Sequence, residues 1–357
     1  MMTRDLRIAL PSEPPAPTLR RAGLLVAILL AAGIPAPVAS ASDWPQYGFS
    51  ARHGSLNPAE TVLGRKTVAG LRLAARLAPS AVGVSATSPS VAAGRVHFGV
   101  DTQVYAFDTA TGGLLWSRPD CSEETATQPT IAHERVFVGD AGGDWAAYDA
   151  ATGAQAWCAD TGGSQRFPSA AAGAKVYATN GGDLIGATQL RGPSWWYSPD
   201  TPVSRTPAVA DGVVSITGGG VLHAVSTADG GPLWQQALGG ELFTPSVSPD
   251  GAAVYVGASQ SLFALDRADG AVRWQTATIG TAPGSPAIYG NRLFVNGDAG
   301  HPGLWALDSR TGDILWHADQ PGASTATASV AGGVVYDISD RGELQMFHPA
   351  TLSLIHI

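Results

Sequence analysis

The sequence predicts an all-β protein, a β-propeller of four-stranded antiparallel blades with seven visible repeats. Three observations predict it. A hairpin written "VYAFDTATGGLLW" over 104–116 recurs as "AAYDAATGAQAW", "LFALDRADGAVRW" and "LWALDSRTGDILW", at a period of about 40 residues. Two further β-forming runs stand ahead of each hairpin. The 44 glycines and 25 prolines suit many short strands joined by tight turns. With 45% hydrophobic and 14% charged residues among 357, the chain can also bury a large core.

The N-terminal residues differ from the rest. Arg20 and Arg21 precede an uncharged run over 22–34, and "APVASA" places Ala39 and Ala41 ahead of Ser42. That is the pattern of a secretory signal peptide over 1–41. Its apolar core is too short for a permanent membrane helix, no cysteine follows for a lipid anchor, and the arginine pair matches twin-arginine export only loosely. Removal takes away four arginines with Asp5 and Glu13, so the mature chain is more acidic than the formal −8 of the whole sequence. Such a surface repels the phosphates of nucleic acid. Residues 42–70 read as a lead-in segment. The stretch "LRLAARL" at 71–77 reads as a lone outer strand that completes the last blade.

Within each unit the first strand is announced by "TSPSVAA", "TQPTIAH", "RFPSAAA", "RTPAVAD", "FTPSVSP" or "GSPAIYG", with "ATASVAG" in the seventh. Pro89, Pro129, Pro168, Pro207, Pro245 and Pro286 suit strand starts, where a missing N–H is tolerated. Runs such as "RVHFG", "RVFVG" and "AVYVG" form the second strand, and the stretch before each hairpin turn forms the third. Asp108, Asp149, Thr188, Ser226, Asp266 and Asp308 hold the turn, because a short polar side chain accepts hydrogen bonds from turn amides. Gly112, Gly153, Gly192, Gly230, Gly270 and Gly312 follow, supplying the left-handed conformation that closes the hairpin. Trp116, Trp157, Trp196, Trp234, Trp274 and Trp316 then lie on the outer strand and read as packing between units rather than a ligand cage. Trp145 and Trp305, in third strands, have the same structural reading. One such sheet cannot bury both faces, whereas radial stacking lets each blade cover the next. Helical repeats would need a 3.6-residue pattern, which is absent.

The motif A-x-D-x-x-T-G-x-x-x-W at 106–116 and 306–316, with the lead-in "DWPQYGFSARHGSLNPAET", resembles the quinoprotein, or PQQ-binding-like, β-propellers. The resemblance covers 43 to about 350 and implies eight blades in the intact protein. That family includes alcohol dehydrogenases using pyrroloquinoline quinone (PQQ) and non-catalytic scaffolds similar to the outer-membrane assembly factor BamB. In the dehydrogenases the quinone sits in the funnel with a calcium ion and an aspartate base. No residue here maps onto those ligands or that base.

The seventh unit breaks the pattern. Glycine is expected at 352 and tryptophan at 356, where Leu352 and His356 stand. The ending "LSLIHI" is what a transposon end used in preparing sequencing libraries would encode. Residues 352–357 are therefore expected to be adapter translation, with the propeller spanning 71–351, the sequence truncated and a gap beside the first blade.

Candidate site residues come from the funnel face, where the loops entering the first strands meet the second-to-third turns. Arg166 and Arg205 hold equivalent places in adjacent units with Phe243 in the next, and a guanidinium pair could bind a carboxylate or phosphate. Solvated arginines, or arginines paired with Asp140, Asn180 or Asp183, are the alternative. Asp101, Asp140, Asn180, Asp298 and Asp340 could offer oxygen to calcium or serve their own turns. Cys121 and Cys158 fall in neighbouring units, where they form a disulfide or stay as separate buried thiols. Scattered histidines, His97 and His223 among them in strands, show no metal spacing, and no G-x-S-x-G, phosphate loop or C-x-x-C-H is present. The resulting expectation is an exported binding or scaffolding propeller in the periplasm or outside the cell, with a protein or small-molecule ligand at the funnel. A PQQ-dependent dehydrogenase of alcohols or sugars, with calcium, is the alternative. A polymer- or peptide-binding propeller is the second alternative.

Overall fold

The computed structural model describes residues 29–30, 43–73, 75–77, 86–121, 124, 126–259, 261–277, 285–297, 302–319, 327–339 and 342–351. Most of the expected signal, the 352–357 ending, Asp298 and Asp340 lie outside them.

The repeats fold into seven four-stranded sheets. Blade I runs Ser90–Ala92, Arg95–Val100, Gln103–Asp108 and Leu114–Pro119, each strand antiparallel to the last. Blades II (130–160), III (170–197), IV (208–237), V (246–277) and VI (287–318) repeat this order. Blade VII (329–347) has three such strands, and its fourth is Leu56–Asn57, paired parallel to Ser329–Ala331 on the inner edge. Successive blades share apolar clusters; one joins Val104, Ala106 and Trp116 of blade I to Val136, Ala146 and Tyr148 of blade II. The all-β propeller expectation holds.

The turn chemistry explains why each hairpin forms where it does. The Asp108 carboxylate accepts from the Thr111 amide and hydroxyl, interactions that hold its carboxyl below the usual carboxylate range. Asp149 is held the same way by Thr152. In four of the blades the outer tryptophan then reaches the next blade, where its indole N–H donates to the carbonyl just after the turn residue. Trp116 reaches Ala150 at 3.1 Å, Trp157 Gln189 at 3.1 Å, Trp234 Arg267 at 2.9 Å and Trp274 Ser309 at 3.2 Å.

Blade III corrects the ruler. Trp196 is 49% exposed, and Trp195, 9% exposed, is the residue that docks. Its hairpin is one residue shorter, so Trp195 pairs with Gly186, the position that Ala106 and Ala147 occupy opposite Trp116 and Trp157. The ring fills the space a Cβ would take at Gly186. Its indole nitrogen finds no hydrogen-bond partner among the described residues. The carbonyl it would have met, on Thr227, accepts instead from the Lys175 ammonium, which also donates to Ala228 at 2.9 Å.

The lead-in is the element that sequence reading left without a role. It curves around the axis and meets the middle of every inner strand in turn. Trp44 and Val91 exchange backbone bonds, and Ile131 N–H donates to Pro45 O. Ala171 N–H donates to Gln46 Oε1 at 2.8 Å while Gln46 Nε2 donates to Ala171 O at 3.2 Å. Val209, Val247, Ile288 and Val330 donate to the carbonyls of Ala51, Arg52, Gly54 and Ser55. Positive φ at Gly48, Phe49, His53 and Ser55 bends the segment enough to follow the ring.

Segment 71–77 was expected to be the outer strand of the last blade. Among its described residues only Arg72–Leu73 form a strand, which pairs with Leu29–Leu30, while the fourth strand of blade VII lies on the opposite edge. Side-chain packing still places the segment between blades VII and I. Leu71 and Val68 contact Val334 and Met346, and Leu77 packs with Phe98 and beneath Gly112, as Trp116 does beneath Gly153.

Two buried histidines tie this architecture to pH. His53 Nδ1 donates to Pro245 O and His97 Nε2 to Ala150 O, each at 3.2 Å. Burial pushes both down from 6.5 to about 4, with the backbone bond opposing weakly. The unfolded chain binds their protons more readily. Their contribution is therefore complete above pH 6.5 and is lost as pH falls from 6.5 towards 4, by up to roughly 3 kcal/mol each. Urea midpoints at pH 7.5 and 4.5 should differ accordingly; equal midpoints would contradict it.

Candidate functional site

The loops that enter the inner strands are held open by short polar side chains. Thr87 Oγ1 accepts the Gly99 N–H at 2.9 Å, and Thr127 Oγ1 accepts that of Gly139 at 3.1 Å. These loops surround a cavity of about 570 Å³ on the funnel face, reached by blades I to V. Tyr47 of the lead-in forms part of its lining. The Tyr47 hydroxyl lies 2.9 Å from Thr327 Oγ1 and accepts the Ser285 N–H at 3.2 Å, so the lead-in also ties blades VI and VII to this site. Gln128, Phe167, Thr206 and Thr244 contribute neutral walls. Arg166 is the one charged side chain among the described lining residues.

The two arginines expected to act together have different surroundings. Arg166 is exposed, and its Nε donates to Ser164 Oγ at 3.2 Å. Arg205 is half-buried, ion-paired to Glu241, and its Nε donates to Leu242 O at 3.1 Å. Its guanidinium carbon sits 5.1 Å from the Phe167 ring centroid and 5.6 Å from that of Phe243. Phe243 is buried and reaches the site through this stack. Arg205 is thus a strut between the entry loops of blades III and V, with its charge already met. The sequence reading named neither Phe167 nor Glu241. Phe167 stands directly before Pro168, one place from the position compared between units, and Glu241 lies in a loop of variable length.

The turn acids are engaged locally. Asp140 Oδ1 accepts the amides of Gly143 and Asp144, and Asn180 Oδ1 accepts those of Gly182 and Asp183. Asp101 sits at a left-handed φ of 48° in its turn. His223 is bracketed by the Tyr197 hydroxyl at 3.1 Å and the Thr201 hydroxyl at 3.0 Å.

If Arg205 is a strut, Arg205→Ala should lower the unfolding free energy by about 1–3 kcal/mol, from a lost stack and a lost charged hydrogen bond. Exposed Arg166→Ala should stay within about 0.5 kcal/mol of the parent. Urea denaturation of both variants measures this, and equal midpoints would remove the distinction.

A family model described as outer membrane protein assembly factor BamB matches residues 55–199 and 218–355. The outer membrane protein assembly factor BamB of Yersinia pestis is 27% identical over 141 residues, covering 35% of this chain and 35% of that relative. The match thus spans about a third of that curated relative. Among solved structures, BamB from Moraxella catarrhalis aligns with a TM-score of 0.59 at 18% identity, over 71% of this chain and 81% of its own. A europium-containing methanol dehydrogenase aligns at 0.69 and 12% identity, over 88% and 85%. At these identities the structures speak to the fold alone.

Proposed function

This chain belongs to the family of outer membrane protein assembly factor BamB, and from that membership we propose that it is an exported scaffolding propeller of the bacterial cell envelope that binds protein partners in outer-membrane assembly. One observation carries the reading: the family match takes in six of the blades whole and the two outer strands of blade IV. The funnel supports it. Hydroxyl, amide and aromatic groups with the exposed Arg166 guanidinium suit a polar peptide segment, with Arg166 meeting a partner carboxylate and the Arg205 strut holding Phe167 and Phe243 in place. A chromosomal deletion in the native host should lower the folded fraction of outer-membrane barrels, restored by a plasmid copy. Unchanged barrel levels would remove the assembly role.

The alignment with a methanol dehydrogenase favours a second reading, a PQQ-dependent oxidoreductase. The donor set argues against it. None of the described lining residues is a carboxylate, and calcium prefers anionic oxygen ligands. Asp140 Oδ1 and Asn180 Oδ1 each accept two turn amides. Among the described residues, the lining does not fit a calcium-bound quinone. Dye reduction with alcohol or glucose after adding PQQ and calcium would reverse this assignment.

A further inference from the structure

The joint between blades I and II gathers soft and hard donors at one point. Cys121 follows the outer strand of blade I, and Cys158 lies in the outer strand of blade II, opposite Ala146. Asp144 stands two residues before Ala146, so its side chain projects from the same face of the sheet, opposite Asp160. The ligand atoms of Cys121, Cys158 and Asp144 all lie within 4.8 Å of one another. Metal–ligand bonds of 2.0–2.3 Å around a tetrahedral ion separate neighbouring donors by roughly 3–4 Å, within reach of small side-chain adjustments. In the oxidised chain the two sulfurs are bonded to each other, leaving only the carboxylate to offer.

We propose that reduction of the Cys121–Cys158 disulfide converts this joint into a binding site for a thiophilic divalent cation, with the two thiolates and Asp144 as its ligands. An external dithiol supplies the two electrons and the two protons. Its own sulfurs join as a disulfide, the Cys121–Cys158 bond breaks, and two thiols form. Binding of Zn²⁺ then displaces both thiol protons to solvent, and water takes the fourth position. Two thiolates with one carboxylate favour zinc over magnesium or calcium, which prefer oxygen alone. The redox state of the joint decides whether the site exists.

The test uses the full mature chain, reduced anaerobically with a phosphine, desalted, and titrated with Co²⁺ as the spectroscopic probe. Reduced protein should bind one equivalent with a thiolate-to-cobalt charge-transfer band that Zn²⁺ abolishes, while the oxidised protein shows no band. Asp144→Asn leaves the disulfide in place, so its fold is checked in the oxidised state. Once reduced it should bind at least about tenfold more weakly, since loss of an outer-shell partner alone costs 10–100-fold. Cys158→Ser should show no band. The proposal is overturned by a folded reduced chain without the band, by unchanged affinity in Asp144→Asn, or by a reduced chain that loses its near-ultraviolet circular dichroism and with it the joint.

Discussion

Deletion of residues 43–55 is expected to abolish cooperative folding, although no blade loses a strand of its own. The amides of Val91, Ile131, Ala171, Val209, Val247, Ile288 and Val330 each donate to this segment, and all but Val91 are buried residues. A buried donor left without its acceptor costs about 1–3 kcal/mol. The six buried ones together cost roughly 6–18 kcal/mol, against a total stability of about 5–15 kcal/mol for a typical domain. Water entering the opened channel would recover part of that loss, but the buried Gln46, His53 and Ser55 would also be gone. A graded version is Gln46→Ala, which removes both bonds to Ala171 and should cost about 2–4 kcal/mol. Near-ultraviolet circular dichroism and urea melts measure both variants. A deletion variant that still melts cooperatively, within about 2 kcal/mol of the parent, would show that the blades close without their inner clasp.

Gly270→Ala is expected to cost about 3–5 kcal/mol, while Gly290→Ala costs about 1–2 kcal/mol. Both glycines have positive φ, 78° and 61°, so alanine meets similar backbone strain at each. Their surroundings differ. A Cβ at Gly270 would stand 2.6 Å from Cε3 of Trp234, whereas at Gly290 nothing lies within 4 Å. The extra cost at Gly270 is that of prising the indole out of the joint between blades IV and V, including its bond to Arg267. Thermal or urea denaturation of the pair separates the two contributions. Equal losses would mean that the glycine serves its own turn alone, and that the tryptophan docks without needing the bare backbone beneath it.

Much of this was legible in the chain because hairpins are local. Asp108, Gly112 and Trp116 sit within nine residues, and their chemistry closes the turn whatever lies around it. The misreading at Trp196 has the same origin. A ruler counts residues, but the residue that docks is the one paired with Gly186, and pairing depends on a turn one residue shorter. At the funnel, Arg166 and Arg205 look equivalent in sequence. Glu241 and two aromatic rings separate their roles, and those contacts cross from one blade to another.

By itself, the sequence determined the strands, their order and the radial stacking of repeats, because alternation, turn residues and a recurring indole act over a few neighbouring positions. Tertiary structure alone decided that the lead-in clasps every inner strand, that 71–77 packs between the first and last blades, and that Arg205 is a strut. Those outcomes rest on backbone amides and charges brought together from distant parts of the chain, and a backbone amide looks the same in every residue that carries one.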